Sequence, residues 1–193
     1  MLGLKLPTDP RWVKLVEDDL GAILCDHAWC EQKAASNAVS MIVRYPEHID
    51  LVQELTRIAQ EEITHFGMVV DRLRERNLTL EPERKDHYVN ELLTFVQKDG
   101  SREGRLVDRL LFSAMIEARS CERFKMLSER LKDEELCAFY RDLMISEAGH
   151  YTTFISFARK YGAGIDVDAR WQDFLEFEAQ LIANYGLAPT MHG

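Results

Sequence analysis

Two short stretches of this 193-residue chain each place a carboxylate and an imidazole three residues apart. They are QEEITHFG, with Glu62 and His65, and SEAGHYTTF, with Glu147 and His150. Residues three and four apart share one face of a helix, and in both stretches that face is otherwise apolar. A further inward carboxylate precedes each stretch, Glu31 in AWCEQKAASNA and Glu117 in IEARSCERF. Left uncompensated in an apolar core, four carboxylates would be heavily destabilising, and two neutral imidazoles could not offset them. Two divalent cations could. A set of four carboxylates and two imidazoles suits iron or manganese, whereas a zinc site would more often use cysteine or three histidines.

The elements that must position these residues read as helical throughout, because no segment of any length alternates at period two. A long helix is expected over about Leu20–Arg44, its inward stripe running through Leu24, His27, Glu31, Ala38 and Met41. A second, over about 46–76, follows the Tyr45-Pro46 break and carries Leu55, Glu62, His65, Val69 and Leu73 inward. NLTLEPER interrupts the pattern, a shorter helix is expected near 87–98, and KDGSREG reads as a turn. Two more long helices follow, about 102–131 with Leu110, Glu117 and Phe124 inward, and about 133–161 with Leu143, Glu147 and His150 inward. A short helix after Asp9-Pro10 and an amphipathic one over about 167–185 complete the chain. The fold class is all-α. Two long-helix hairpins with a longer connection around 77–101 crossing between them make a ferritin-like four-helix bundle with additional short helices, one domain over residues 1–193.

The two halves repeat. Glu31 to Glu117 is 86 residues, Glu62 to Glu147 is 85, and His65 to His150 is 85. One Glu-x-x-His is close to what chance provides in a chain with six histidines. Two of them on apolar faces, each preceded by an inward Glu, point to a metal centre rather than to single core residues paired with an arginine or a backbone group. The same repeat favours Glu62 and Glu117 as ligands over their neighbours Glu61 and Glu122. His27, one turn before Glu31, reads as a packed histidine, with support of Glu31 as the alternative.

Composition bounds the rest. With 24 basic against 33 acidic residues, the net charge of −9 argues against broad attraction to nucleic acid and against DNA as a partner. Residues 72 to 109 are the exception, with nine basic against eight acidic side chains. No apolar stretch reaches the roughly 18 residues that a membrane span needs, and the start has no leader-like pattern. The four cysteines lack paired CxxC spacing, so reduced thiols in a cytoplasmic protein are expected.

On these stretches the chain resembles the ferritin-like di-iron family, and within it the tRNA 2-methylthio-isopentenyl-adenosine hydroxylases. The resemblance runs over nearly the whole chain and rests on the words around Glu31, Glu62, His65, Glu117, Glu147 and His150. It implies a centre of two iron ions, O2 as co-substrate, a tRNA carrying a prenylated adenosine as partner, and an electron donor that the sequence does not identify. Rubrerythrin-type relatives add CxxC motifs that are absent here. Bacterioferritins place a haem-binding methionine where this chain has Ile63. A ferroxidase or iron-storage protein remains the alternative, and a non-catalytic helical scaffold the third reading. Contact with RNA would be local, at an unpaired loop, and Arg72, Arg74 and Arg76 are the residues expected to meet its phosphates, although a solvated helix face accounts for them more simply.

Overall fold

The computed structural model describes residues 2 to 192. Among them are seven helices and no strand: α1 (Trp12–Asp18), α2 (Leu20–Arg44), α3 (Ile49–Glu75), α4 (His87–Thr94), α5 (Arg102–Arg130), α6 (Glu134–Tyr161) and α7 (Val167–Tyr185). No helix is long and apolar enough to cross a membrane. The chain divides into two compact units.

One unit, Val16–Lys85 with Pro189–Met191, is built on the α2–α3 hairpin. Its first helix starts where the Asp19 carboxylate accepts the amide N–H of Ala22 at 3.0 Å, satisfying one of the donors left free at a helix start. The second begins at Ile49 rather than at the expected 46, because the chain must first reverse. Tyr45 is buried and closes α2 on Met41 O, and the His48 amide turns back onto Tyr45 O, which keeps Pro46 and Glu47 in the turn. At its far end α3 stops at Asn77, whose φ of 55° is left-handed. The Leu78 amide then closes on Leu73 O at 2.9 Å, a helix stop that asparagine accommodates with little strain. Leu51, Leu55, Ile58, Val69 and Leu73 form the buried stripe of α3, and Leu24, Ala28, Ala35, Ala38 and Met41 that of α2.

The other unit comprises residues up to Leu15, Asp86–Ala188 and His192. Its axis is α5, which packs along α6 and also meets α4 and α7. Buried residues therefore occur on every face of α5, from Leu106 to Ser128. Side-chain caps set the other starts: Asp86 for α4, Ser101 for α5, Asp133 for α6 and Asp166 for α7. Helix α4 ends at Thr94, short of the expected 98, because a long-range pair captures the backbone beyond it. The Gln97 amide donates to Asp108 at 2.8 Å and Arg170 donates to Phe95 O at 2.9 Å, while Arg170 and Asp108 are themselves paired at 2.7 Å. After α6 the chain turns at Gly162, where a Cβ would run into the Val167 side chain and the Ala158 carbonyl. All four cysteines are free thiols, as expected.

A second set of buried charges lies on the far side of α5. Arg119 and Glu178 are both fully buried, and Arg119 Nε donates to Glu178 Oε1 at 2.8 Å. Arg119 also donates to Leu6 O and Glu122, and the Tyr88 hydroxyl donates to Glu178 at 3.2 Å. Arg123 donates to Thr8 Oγ1 and lies over the Trp12 ring, 4.2 Å from its centre. Burial, aided by the charge of Arg119, lowers the Arg123 guanidinium to about 10. These contacts tie the N-terminal segment, α4 and α7 to one helix. Removing one partner of a buried pair strands the other charge, so Glu178→Ala is expected to cost about 3–5 kcal/mol of unfolding free energy in a urea titration. Replacing both partners together, Arg119→Met with Glu178→Leu, is expected to cost clearly less.

Candidate metal centre

In the α2–α3 hairpin the inward positions meet as the stripes require. Glu31, Glu62 and His65 are buried, and each offers a donor atom within 4.8 Å of the others. His65 Nδ1 lies 3.7 Å from Glu31 Oε2 and 3.5 Å from Glu62 Oε2. Donor atoms that share one ion at 2.0–2.2 Å lie roughly 3–4 Å apart, so small side-chain adjustments suffice to bind one. The electrostatics point the same way. Burial, and next the charge of Glu62, push the Glu31 carboxyl up to about 8. Burial works against a charged His65, but the adjacent carboxylates of Glu31 and Glu62 outweigh it and raise the imidazole to about 10. Without a cation the triad thus retains protons, and these are what a metal ion would displace.

The α5–α6 hairpin carries the same triad. Glu117, Glu147 and His150 are buried, their donor atoms also fall within 4.8 Å of one another, and His150 Nδ1 lies 3.9 Å from Glu117 Oε2. Cys121 follows Glu117 by one turn and donates to Met144 O. Burial, with the charge of Glu147 adding, pushes its thiol up to about 11, which leaves it protonated and a poor metal ligand. In each unit the donor set is oxygen-rich with one imidazole, the chemistry that suits a divalent transition metal.

The competing residues are engaged elsewhere. Glu61 accepts from Arg57 at 2.6 Å on the outer face of α3, and Glu122 accepts from Thr8 and Arg119. Arg72, Arg74 and Arg76 lie in and just beyond the last turn of α3, and each is within salt-bridge distance of Asp71 or Glu75. Arg74 is the most exposed of the three, at 78% of its side chain, and Arg76 the least, at 18%. His27 departs from the simpler reading of a packed histidine. It is buried, but its Nε2 lies 2.6 Å from Glu31 Oε1, so it supports a member of the triad. The spacing of four residues that makes this contact possible was visible in the sequence, and the contact itself decides for support of Glu31 over simple packing.

Comparison with known proteins bears on the family and the fold. The chain is 40% identical over 164 residues, 85% of its length and 78% of the relative's, to a tRNA 2-(methylsulfanyl)-N(6)-isopentenyladenosine(37) hydroxylase from Pseudomonas putida. A protein of the same name from Salmonella typhimurium is 29% identical over 228 residues, covering 93% of this chain and 83% of that one. Among solved structures, "Protein 43 with aldehyde deformylating oxygenase activity from Synechococcus" matches with a TM-score of 0.91 at 31% identity, over 98% of this chain and 95% of the other. That likeness, with four long helices in two hairpins, bears out the ferritin-like all-α class with additional short helices. Residues 2–193 match the family model described as tRNA-(MS[2]IO[6]A)-hydroxylase (MiaE), and the chain therefore belongs to that family of enzymes.

Proposed function

We propose that this chain is an O2-dependent di-iron monooxygenase that hydroxylates the isopentenyl group of 2-methylthio-N6-isopentenyladenosine beside the anticodon of tRNA, acting in the cytoplasm as a single functional domain. The observation that carries this reading is the buried Glu, Glu-x-x-His triad found in each of the two hairpins of a chain belonging to a tRNA hydroxylase family. Glu31, Glu62, His65, Glu117, Glu147 and His150 would hold two iron ions, and the bound iron supplies the O2 activation that side chains cannot. A carboxylate has two oxygens to offer, which would let the ligand set follow a change in metal charge. The imidazoles fix direction through a single nitrogen. Burial keeps bulk water away from the reacting groups, which limits side reactions. Reducing equivalents come from a separate electron donor.

The substrate's prenyl arm is flexible and projects from an unpaired loop, where bases can be splayed out and recognised singly. A chain with net charge −9 has to make its phosphate contacts locally. Arg72, Arg74 and Arg76 are the residues we propose for that contact, released from Asp71 and Glu75 when phosphate takes the place of carboxylate.

Reconstitution with ferrous iron gives two tightly bound ions per chain. His65→Ala or His150→Ala loses metal, and Glu61→Gln, whose carboxylate faces Arg57, retains it. Because the His65 imidazole holds its proton up to about 10 and the Glu31 carboxyl up to about 8, binding releases protons and weakens as the pH falls below about 10, and more steeply below about 8, by up to about tenfold per pH unit for each displaced proton. Titration calorimetry in buffers of different ionisation enthalpy reads the proton release, and uptake of fewer than two ions would refute the centre. Given reductant, O2 and prenylated tRNA, the enzyme adds one oxygen to the prenylated nucleoside, read by mass spectrometry of digested tRNA, and unprenylated tRNA yields no product. Neutralising Arg72, Arg74 and Arg76 together weakens tRNA binding and flattens its dependence on salt, since fewer phosphate contacts release fewer counterions. An unchanged slope would remove these arginines from the RNA surface.

A further inference from the structure

The two triads match in residue type, but the residue one turn before the first carboxylate is His27 in one and Ser113 in the other. His27 lies one helical turn before Glu31, is fully buried, and sits with Nε2 2.6 Å from Glu31 Oε1. Glu31 can only accept once it binds an ion as a carboxylate, so in the loaded protein this short contact is an Nε2–H donated to Oε1. The other oxygen, Oε2, faces His65 Nδ1 at 3.7 Å, on the side where the triad converges. The two oxygens of Glu31 thus have separate assignments. In the other hairpin, the 86-residue offset between Glu31 and Glu117 places Ser113 at the position of His27. Ser113 is also buried, but its hydroxyl donates to Arg109 O of its own helix at 3.1 Å.

We propose that His27 is a positioning residue that holds Glu31 by one oxygen and presents only Oε2 to a metal ion, so that the metal position of the α2–α3 hairpin differs in ligation and in strength of retention from that of the α5–α6 hairpin. A carboxylate whose one oxygen is committed to a short hydrogen bond binds an ion through the other, and its swing into two-oxygen binding is restrained. Hydrogen bonds to ligands from just outside the coordination sphere commonly change metal affinity about 10–100-fold. The inference rests on the two-metal reading above, and the test separates failure of one from failure of the other.

The measurement uses the full chain loaded with enriched ferrous iron, followed by Mössbauer spectra, iron content and the rate of iron removal by a chelator. The native protein is expected to show two distinct ferrous signals. His27→Leu is expected to shift one signal, leave the other, and release one ion about 10–100-fold faster. His27→Gln, which restores an N–H donor, moves both readouts back toward the native protein, and Ser113→Ala leaves them unchanged. Helical content by circular dichroism identifies a variant that has lost its fold, in which case His27→Gln and the native spectrum decide. A single signal from two bound ions in the native protein overturns the proposal, as does His27→Leu with native spectra and release, or His27→Gln behaving like His27→Leu. A native protein that takes up no iron overturns both this inference and the two-metal reading.

Discussion

Charge placed inside a helical core must be cancelled, and this protein cancels it in two ways. Behind α5 the agent is a side chain: Arg119 and Glu178 meet at hydrogen-bond distance, with Tyr88 and the backbone of Leu6 completing the set. At the inward faces of the hairpins the carboxylates of the triads converge on imidazoles instead. Each triad combines two carboxylates with one imidazole, and in the α2–α3 triad burial and the neighbouring charges raise Glu31 and His65, so that protons fill the deficit there until something more highly charged replaces them. Within each unit, helix pairing holds the three triad side chains near one another.

The burden falls unevenly on the helices. Helix α5 presents Glu117 to α6 on one face and Arg119 to α7 and the N-terminal segment on another, so its sequence has little freedom on any side. Helices α2 and α3 keep an exposed outer face, where Val39, Val43, Ile49 and Ile63 remain open. A substitution in α5 therefore disturbs both kinds of charge compensation, while one on the outer face of α3 disturbs neither. The side-chain caps at five helix starts act alongside this packing by satisfying backbone donors left free there.

How much of this could be read from the sequence depended on the range of the interaction concerned. Glu62 with His65 and Glu147 with His150 are one turn apart, and helical periodicity alone aims each pair inward. Helix α7 was legible to both ends because its signals are local: Asp166 caps it and Gly186 follows Tyr185. The end of α4 was not, since it depends on Asp108 and Arg170 reaching the backbone of 95–97 from distant parts of the chain. The Arg119–Glu178 pair spans 59 residues and has no periodic signature. His27 falls between these cases. Its spacing to Glu31 was legible, but a histidine on an apolar stripe reads equally as packing, and only the 2.6 Å contact distinguishes the two.

Each triad is assembled within one hairpin, from two helices joined by a short turn. Such contacts are close in sequence and cost little loop-closure entropy, so they form early and quickly when a chain folds. Small zinc domains work the other way, because there the ion must close the loops for the chain to fold at all. Here the backbone is organised first and protons stand in for the ion. A metal ion would therefore be a late arrival at a site already built, and its supply would govern occupancy of the triads rather than the yield of folded protein.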